Sequence, residues 1–313
     1  MNNDVSPTGE QINLERRVGD STVTATVTSV GAGLRVLKVD GLNIVQGFAE
    51  DAEVAYCAGQ ILIPWPNRVR DGAWTHEGVV RQLPVNEPEL NNAIHGFLLK
   101  LPHEVLARSA ESVILRATIP ASDGYPWELS VVTEYVLTDA GISITHRITN
   151  ASATPAPVAV GSHPFPCIGD VPTEDLVVTF GGATRIVVDD RLNPTGAEPV
   201  AGTRFDLSGG RRVGDVDLDT AYTDIPQRDD GTRAMTATAP DGRCVTVWGD
   251  SNFAHAQIFN TDQFPTEKGT VWALALEPTT APPNALASGE ELHMVAAGDT
   301  WELSWGVEFQ QNI

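Results

Sequence analysis

A carboxylate held among apolar residues and an imidazole set in a loop of glycine and proline are common partners for moving a proton. This sequence contains both. Glu277 stands in VWALALEPTTAPPNA, a single charge at the end of an apolar strand and just before a proline-rich loop. Apolar surroundings raise a carboxyl pKa, which suits it to act as a base near neutral pH. The competing reading is a strand-end glutamate turned to solvent. Of the seven histidines, His95 (AIHGF) and His163 (GSHPFPCIGD) sit in loops among Gly and Pro. There each either does chemistry or caps its loop through the ring nitrogens. His146 alternates with apolar residues, and His103, His255 and His293 lie in or beside strands, so packing or surface positions are expected of those four. His76 falls in the turn Trp74–Gly78 and is expected to be exposed. Asp215, Asp217 and Asp219 alternate in DVDLDTAY, but the glycine and closing glutamate of a calcium loop are missing at the required places.

The stretch Ala58–Phe97 concentrates polar groups within an apolar run, which is how a site for a small polar ligand is built. In order it holds Asn67-Arg68, Gly72, Trp74, Gly78, Leu83, Asn86 and Ile94-His95-Gly96. This ordered set resembles the aldose 1-epimerase (galactose mutarotase) family. The likeness continues through Gly161-Ser162-His163-Pro164-Phe165, through Asp219 with Tyr222 three residues on, through Gln257 in HAQIF, and through Leu276-Glu277-Pro278. It runs from about Gly31 to Glu308. Two departures are visible. Ile94-His95-Gly96-Phe97 stands where the family has Leu-His-Gly-Gly, and Phe165-Pro166 stands where it has Tyr-Phe.

The resemblance implies a cofactor-free enzyme that exchanges the α and β anomers of an aldohexose such as glucose or galactose. Opening a cyclic hemiacetal removes the proton of the C1 hydroxyl and adds one to the ring oxygen, so one base and one acid, expected on opposite sides of the reacting centre, are sufficient. By resemblance Glu277 is the base, protonated His163 the acid, and His95 a hydrogen-bonding group at the ring oxygen or C1. Arg68, Asp219, Asn67 and Gln257 would hold the other hydroxyls, with Asp217 as the fallback for Asp219. Two alternatives stay open. A hexose-6-phosphate 1-epimerase would need further cations, for which Arg70 and Arg81 are candidates. A non-catalytic carbohydrate-binding protein on the same fold could lose the acid or the base. A glycosidase needs two carboxylates across the bond and a metal hydrolase needs clustered ligands. Neither accounts for Arg68 together with the two histidines, and no metal or other cofactor is implied.

The formal net charge of −21 argues against nucleic acid or an anionic membrane as partner. Cys57, Cys167 and Cys244 are too few and too far apart for a disulfide framework. No basic-then-apolar leader and no run of 18 apolar residues is present, so a soluble cytoplasmic protein, monomer or homodimer, acting on a small aldose is expected.

The elements that must position these groups are strands. Ser21–Ile44 alternates β-branched and small residues, broken at Gly31-Ala32-Gly33 and Asp40-Gly41. Leu106–Ile119, Leu129–Leu137 and Gly141–Asn150 follow near period two, as do seven later segments from Leu176 to Glu308. No convincing 3.6-residue period lasts three turns, so helices should be few and short. The expectation is an all-β chain: residues 1–17 polar and loosely held, then 18–313 as one large antiparallel β-sandwich domain.

Overall fold

The computed structural model describes residues 6–311. Its ladders are antiparallel, and its one α-helix is the four-residue Ala285–Ser288. A nine-stranded sheet runs in the order Glu104–Arg108, Ser112–Ile119, Leu129–Leu137, Gly141–Asn150, Thr300–Gln310, Cys244–Gly249, Arg233–Thr238, Val177–Phe180, Arg211–Arg212. A seven-stranded sheet runs Pro194–Pro199, Thr184–Val188, Asp219–Thr223, His255–Thr266, Gly269–Thr279, Gly161–Ser162, Ile61–Leu62. Alternation along the strands assigns the faces. Ile258, Leu274 and Leu276 join the same buried apolar cluster as Val245, Val247 and Val307 of the larger sheet. Gln257 and Glu277, one residue out of phase, are left to the other face, because successive strand side chains point to opposite sides. The β-sandwich read from the sequence is the architecture observed.

Two readings need correction. The N-terminal segment is not loose up to residue 17. Gln11–Val18 pairs with Ser21–Thr28 over eight residues, as the outer strand of a four-stranded sheet. Its polar composition hid a short period-two signal, since Ile12 and Leu14 are both buried, and Arg16 binds Glu111 and Asp139 at 2.6 Å each. Residues 1–5 lie outside the described residues. The segment Leu106–Ile119 is a hairpin rather than one strand. It turns at Ser109–Glu111, where the Ser109 hydroxyl accepts the backbone N–H groups of Glu111 and Ser112. Among the described residues no helix is long and apolar enough to cross a membrane.

Candidate functional site

The seven-stranded sheet brings the distant segments together through its register. Gln257 lies directly opposite Glu277, Ala221 opposite Gln257, and Asp219 opposite Phe259. Directly opposed residues share a face with Cβ atoms about 5 Å apart, so Asp219, Gln257 and Glu277 come from three adjacent strands onto one surface. His163 follows the short strand Gly161–Ser162 at the sheet's side. Its N–H donates to the Gln60 carbonyl, and its carbonyl accepts the N–H of Gly59.

The Asn67 and His95 end is built by the two-stranded ladder Arg68–Arg70 with Asn92–Ile94, in which Arg68 faces Ile94. Both flanking residues take left-handed backbone, Asn67 at φ 55° and His95 at φ 62°. Strain of this kind in non-glycine residues collects at functional sites. The two residues hold each other: the His95 N–H donates to the Asn67 carbonyl, and the Asn67 N–H donates to His95 Nδ1, both at 3.1 Å. With Nδ1 accepting, the ring proton belongs on Nε2, leaving an N–H donor for the cavity. Gly96 has φ 71°, and a Cβ there would fall 2.1 Å from the Ile63 carbonyl oxygen, so only glycine fits. Asn86 brackets the same turn, accepting the Ile94 N–H at 2.7 Å and donating to its carbonyl at 3.0 Å.

All seven candidates, Glu277, His163, His95, Arg68, Asp219, Asn67 and Gln257, line one cavity of about 220 Å³. At ~30 Å³ per water molecule this is the room of roughly seven waters, enough for one sugar ring. Asp219 lines the cavity, and Asp217, the fallback, is not among the lining residues. Ile94, a member of the motif read from the sequence, also lines the wall, and sequence reasoning missed Tyr56, Cys57 and Phe259 there. Tyr56 caps it, 40% exposed, with its ring 5.7 Å from that of Phe259. Nothing in the local sequence marks these three, because they have no chemistry-bearing pattern of their own.

Glu277 is 3% exposed, and its Oε1 lies 3.4 Å from His163 Nε2. The pair therefore stands side by side, not on opposite sides of a reacting centre as expected. Burial pushes the Glu277 carboxyl well above its ordinary 4.5, Asp219 adds to this, and Arg68 opposes it. Burial pushes the His163 imidazole down to about 3. Burial thus disfavours the charged form of both groups, which runs against the protonated His163 that the resemblance implies. His95 is also held well below 6.5, by burial first and then by His163 and Arg68. Its ring meets that of His163 edge to face at 5.6 Å. Phe165 stacks on His163 at 5.1 Å, offering an apolar face and no hydrogen bond, and His163 Nδ1 has no partner. Phe97, at the other departure from the family pattern, packs edge-on to Trp65 at 4.9 Å.

A polar chain crosses the floor. Asn67 Nδ2 donates to Gln257 Oε1 at 3.3 Å, and Gln257 Nε2 donates to Asp219 Oδ1. Asp219 keeps about a third of its side chain open to solvent. Desolvation nevertheless raises its carboxyl pKa against the pull of Arg68 and Gln257, while Glu87 and Asp217 add to the rise.

Of the other histidines, His103, His146 and His293 take packing or surface places as expected, whereas His76, expected to be exposed, does not. His146 is fully buried between Thr133 and Trp305. His293 stacks on Trp301 at 4.2 Å, and His103 meets the Leu101 carbonyl. His76 is half-buried against Trp127. His255, which showed no partner in sequence, contacts Glu291 at 2.9 Å. Arg70 is paired with Asp189, and Arg81 lies by the Asp123 carbonyl and Trp127; neither lines the cavity.

A model of the family described as Aldose 1-epimerase matches residues 17–307. The uncharacterised protein YihR of Escherichia coli is 28% identical over 288 residues, covering 92% of this chain and 90% of its own length. Maltose epimerase of Levilactobacillus brevis is 29% identical over 190 residues, 56% of this chain and 55% of its own. Among solved structures, a GalM/aldose epimerase homologue from C. elegans superposes with a TM-score of 0.83 at 20% identity, covering 97% of this chain and 100% of its own. Galactose 1-epimerase from Lactobacillus acidophilus does so with a TM-score of 0.76 at 18%, covering 97% and 99%. At those identities the solved structures show a shared fold, the galactose mutarotase-like sandwich.

Proposed function

The chain belongs to the aldose 1-epimerase family, and from that premise we propose that it interconverts the α and β anomers of an unphosphorylated aldohexose by ring opening and reclosure. The observation that supports this most directly is the 3.4 Å contact of Glu277 with His163 inside a cavity of one-sugar size. O1 and the ring oxygen are both bonded to C1, so a base and an acid standing side by side can reach both.

In this reading a bound sugar draws the shared proton from Glu277 to His163. The C1 hydroxyl donates to the carboxylate and the ring oxygen accepts from the imidazolium, the interactions that favour the charged forms. Glu277 then takes the O1 proton as His163 gives its own to the ring oxygen. The C1–O5 bond breaks with its electron pair left on O5, and C1=O1 forms. Rotation about C1–C2 turns the other aldehyde face, and the reverse transfers close the ring. The Nε2–H of His95 polarises the ring oxygen or C1 region, while Arg68, Asp219, Asn67 and Gln257 hold the remaining hydroxyls. One proton alternates between two groups, so no cofactor enters the scheme.

Two features speak against a phosphorylated substrate. Among the residues lining the cavity Arg68 is the one cationic side chain, and it is already engaged by Glu87. Polarimetry on freshly dissolved α-glucose, α-galactose and α-glucose 6-phosphate tests the proposal. Acceleration of the first two over the spontaneous rate is expected, with the phosphate slower. No acceleration of any aldose would overturn it.

A further inference from the structure

Arg68 supplies the positive charge of the cavity wall, yet its guanidinium is not held by the residues that line the cavity. Its Nη1 lies 3.9 Å from Asp219 Oδ2, beyond hydrogen-bond reach. Its Nε donates to Glu87 Oε1 and Oε2 at 3.1 and 2.9 Å, and Nη2 donates to Glu87 Oε1 at 2.9 Å. This is the fork geometry that fixes the plane of a guanidinium as well as neutralising it. Both side chains are sheltered, Arg68 at 13% and Glu87 at 17% exposed.

Glu87 is itself anchored from behind. Its backbone N–H and carbonyl pair with those of Asn92 at 3.1 Å each. Asn92, completely buried, donates from Nδ2 to Glu87 Oε2 at 3.0 Å and to the Arg191 carbonyl at 3.0 Å, and accepts from Asn193 Nδ2 at 2.9 Å. The carboxylate is therefore a fixed post on which the arginine turns.

Resting on the anomer-exchange reading, we propose that Glu87 is a positioning residue of this site. It locks the Arg68 guanidinium so that Nη1 and the spare Nη2 hydrogen face the sugar hydroxyls, and it cancels the arginine's charge so that the cavity selects neutral over anionic sugars. Glu87 does not line the cavity and acts on substrate only through Arg68. A guanidinium freed from the fork gains rotamers and a net charge. The first change weakens the hold on a neutral hexose, and the second favours an anionic sugar such as a phosphate.

The test is a double-mutant cycle on the full chain with Glu87→Gln, Arg68→Gln and the pair, each checked by circular dichroism and thermal unfolding. Anomer-exchange rates on galactose, glucose and glucose 6-phosphate are the readout. The expected result for Glu87→Gln is a fall in kcat/KM on neutral sugars of ~10- to 100-fold, the cost of a slightly misplaced binding group. It should lie mainly in KM, with the ratio of glucose 6-phosphate to glucose activity rising. In the Arg68→Gln background the same change should add little, since interacting sites are non-additive. A folded Glu87→Gln with unchanged KM and sugar preference, or one whose loss adds in full to that of Arg68→Gln, overturns the inference while leaving the anomer-exchange reading intact. A wild type inactive on every aldose removes that reading, and this inference with it.

Discussion

At the scale of single residues, the same burial moves the Glu277 carboxyl up and the His163 imidazole down, and on the proposed mechanism the two exchange a single proton. On that mechanism a second proton joins the pair only well below 6.5, and the single proton leaves only above the ordinary carboxylate range. A solvent-exposed histidine acid would make kcat/KM change around its ordinary 6.5. Here kcat/KM should stay level as pH falls through that value, and turn down on the alkaline side where Glu277 ionises; initial rates by polarimetry between pH 5 and 9 check this. Positioned proton transfer contributes ~10²- to 10⁴-fold, so Glu277→Gln should lower kcat by that range, and an unaffected rate would remove the base assignment. The stability effect has the opposite sign. The unfolded Glu277 ionises near 4.5 but the folded one higher, so the unfolded state binds fewer protons in that window and stability falls as pH rises through it. Glutamine does not titrate. The variant's Tm relative to wild type should therefore increase from pH 5 to pH 8.

At the scale of elements, the site rests on a ladder of three residues against three. Arg68–Arg70 with Asn92–Ile94 sets Arg68, Asn67 and His95 at one end, and the left-handed turn His95-Gly96 closes it against Ile63. Gly96→Ala places a methyl group in the space of that carbonyl and forces alanine into φ > 0. A lowered Tm is expected, with ~1–3 kcal/mol from the backbone conformation alone and more from the clash. A fall in kcat/KM should accompany it, because His95 cannot keep its bond to the Asn67 N–H. A Gly96→Ala variant as stable and active as wild type would show that the turn does not position His95.

At the scale of the whole molecule, one apolar cluster holds residues from Ile12 to Phe309, and neutral histidines are buried with it. Burial lowers His146 to about 3 and His103 to about 4, and His163 joins them. Each is neutral in the folded state below 6.5 while its unfolded counterpart takes a proton. Stability is therefore lost as pH falls from 6.5 toward 4, a tenfold difference in proton affinity between the two states being worth about 1.4 kcal/mol. Asp71, Asp189, Asp206, Asp230 and Asp241, held low by hydrogen bonds to arginines, hydroxyls or backbone N–H groups, push the same way. Acid also relieves the repulsion of a chain at −21, but that effect is spread over the surface and screened by salt. A Tm that declines between pH 6.5 and 4 in 0.15 M salt is expected; a rising one would mean that surface repulsion and the raised Glu277 and Asp219 carboxyls dominate.

Much of this was legible in one dimension. Period-two alternation and Gly/Pro punctuation determine that the chain makes strands and where they turn. The setting of Glu277, His95 and His163 in an apolar strand end and two tight loops made them candidates, and the resemblance singled them out from 40 other acidic residues and five other histidines. Proximity and protonation were decided only in three dimensions. That Glu277 and His163 stand side by side, that burial disfavours the His163 cation and that Arg68 is gripped by Glu87 depend on strand register and on water excluded by distant segments. Desolvation and Coulomb energy are functions of distance in space, and spacing along a chain does not contain it.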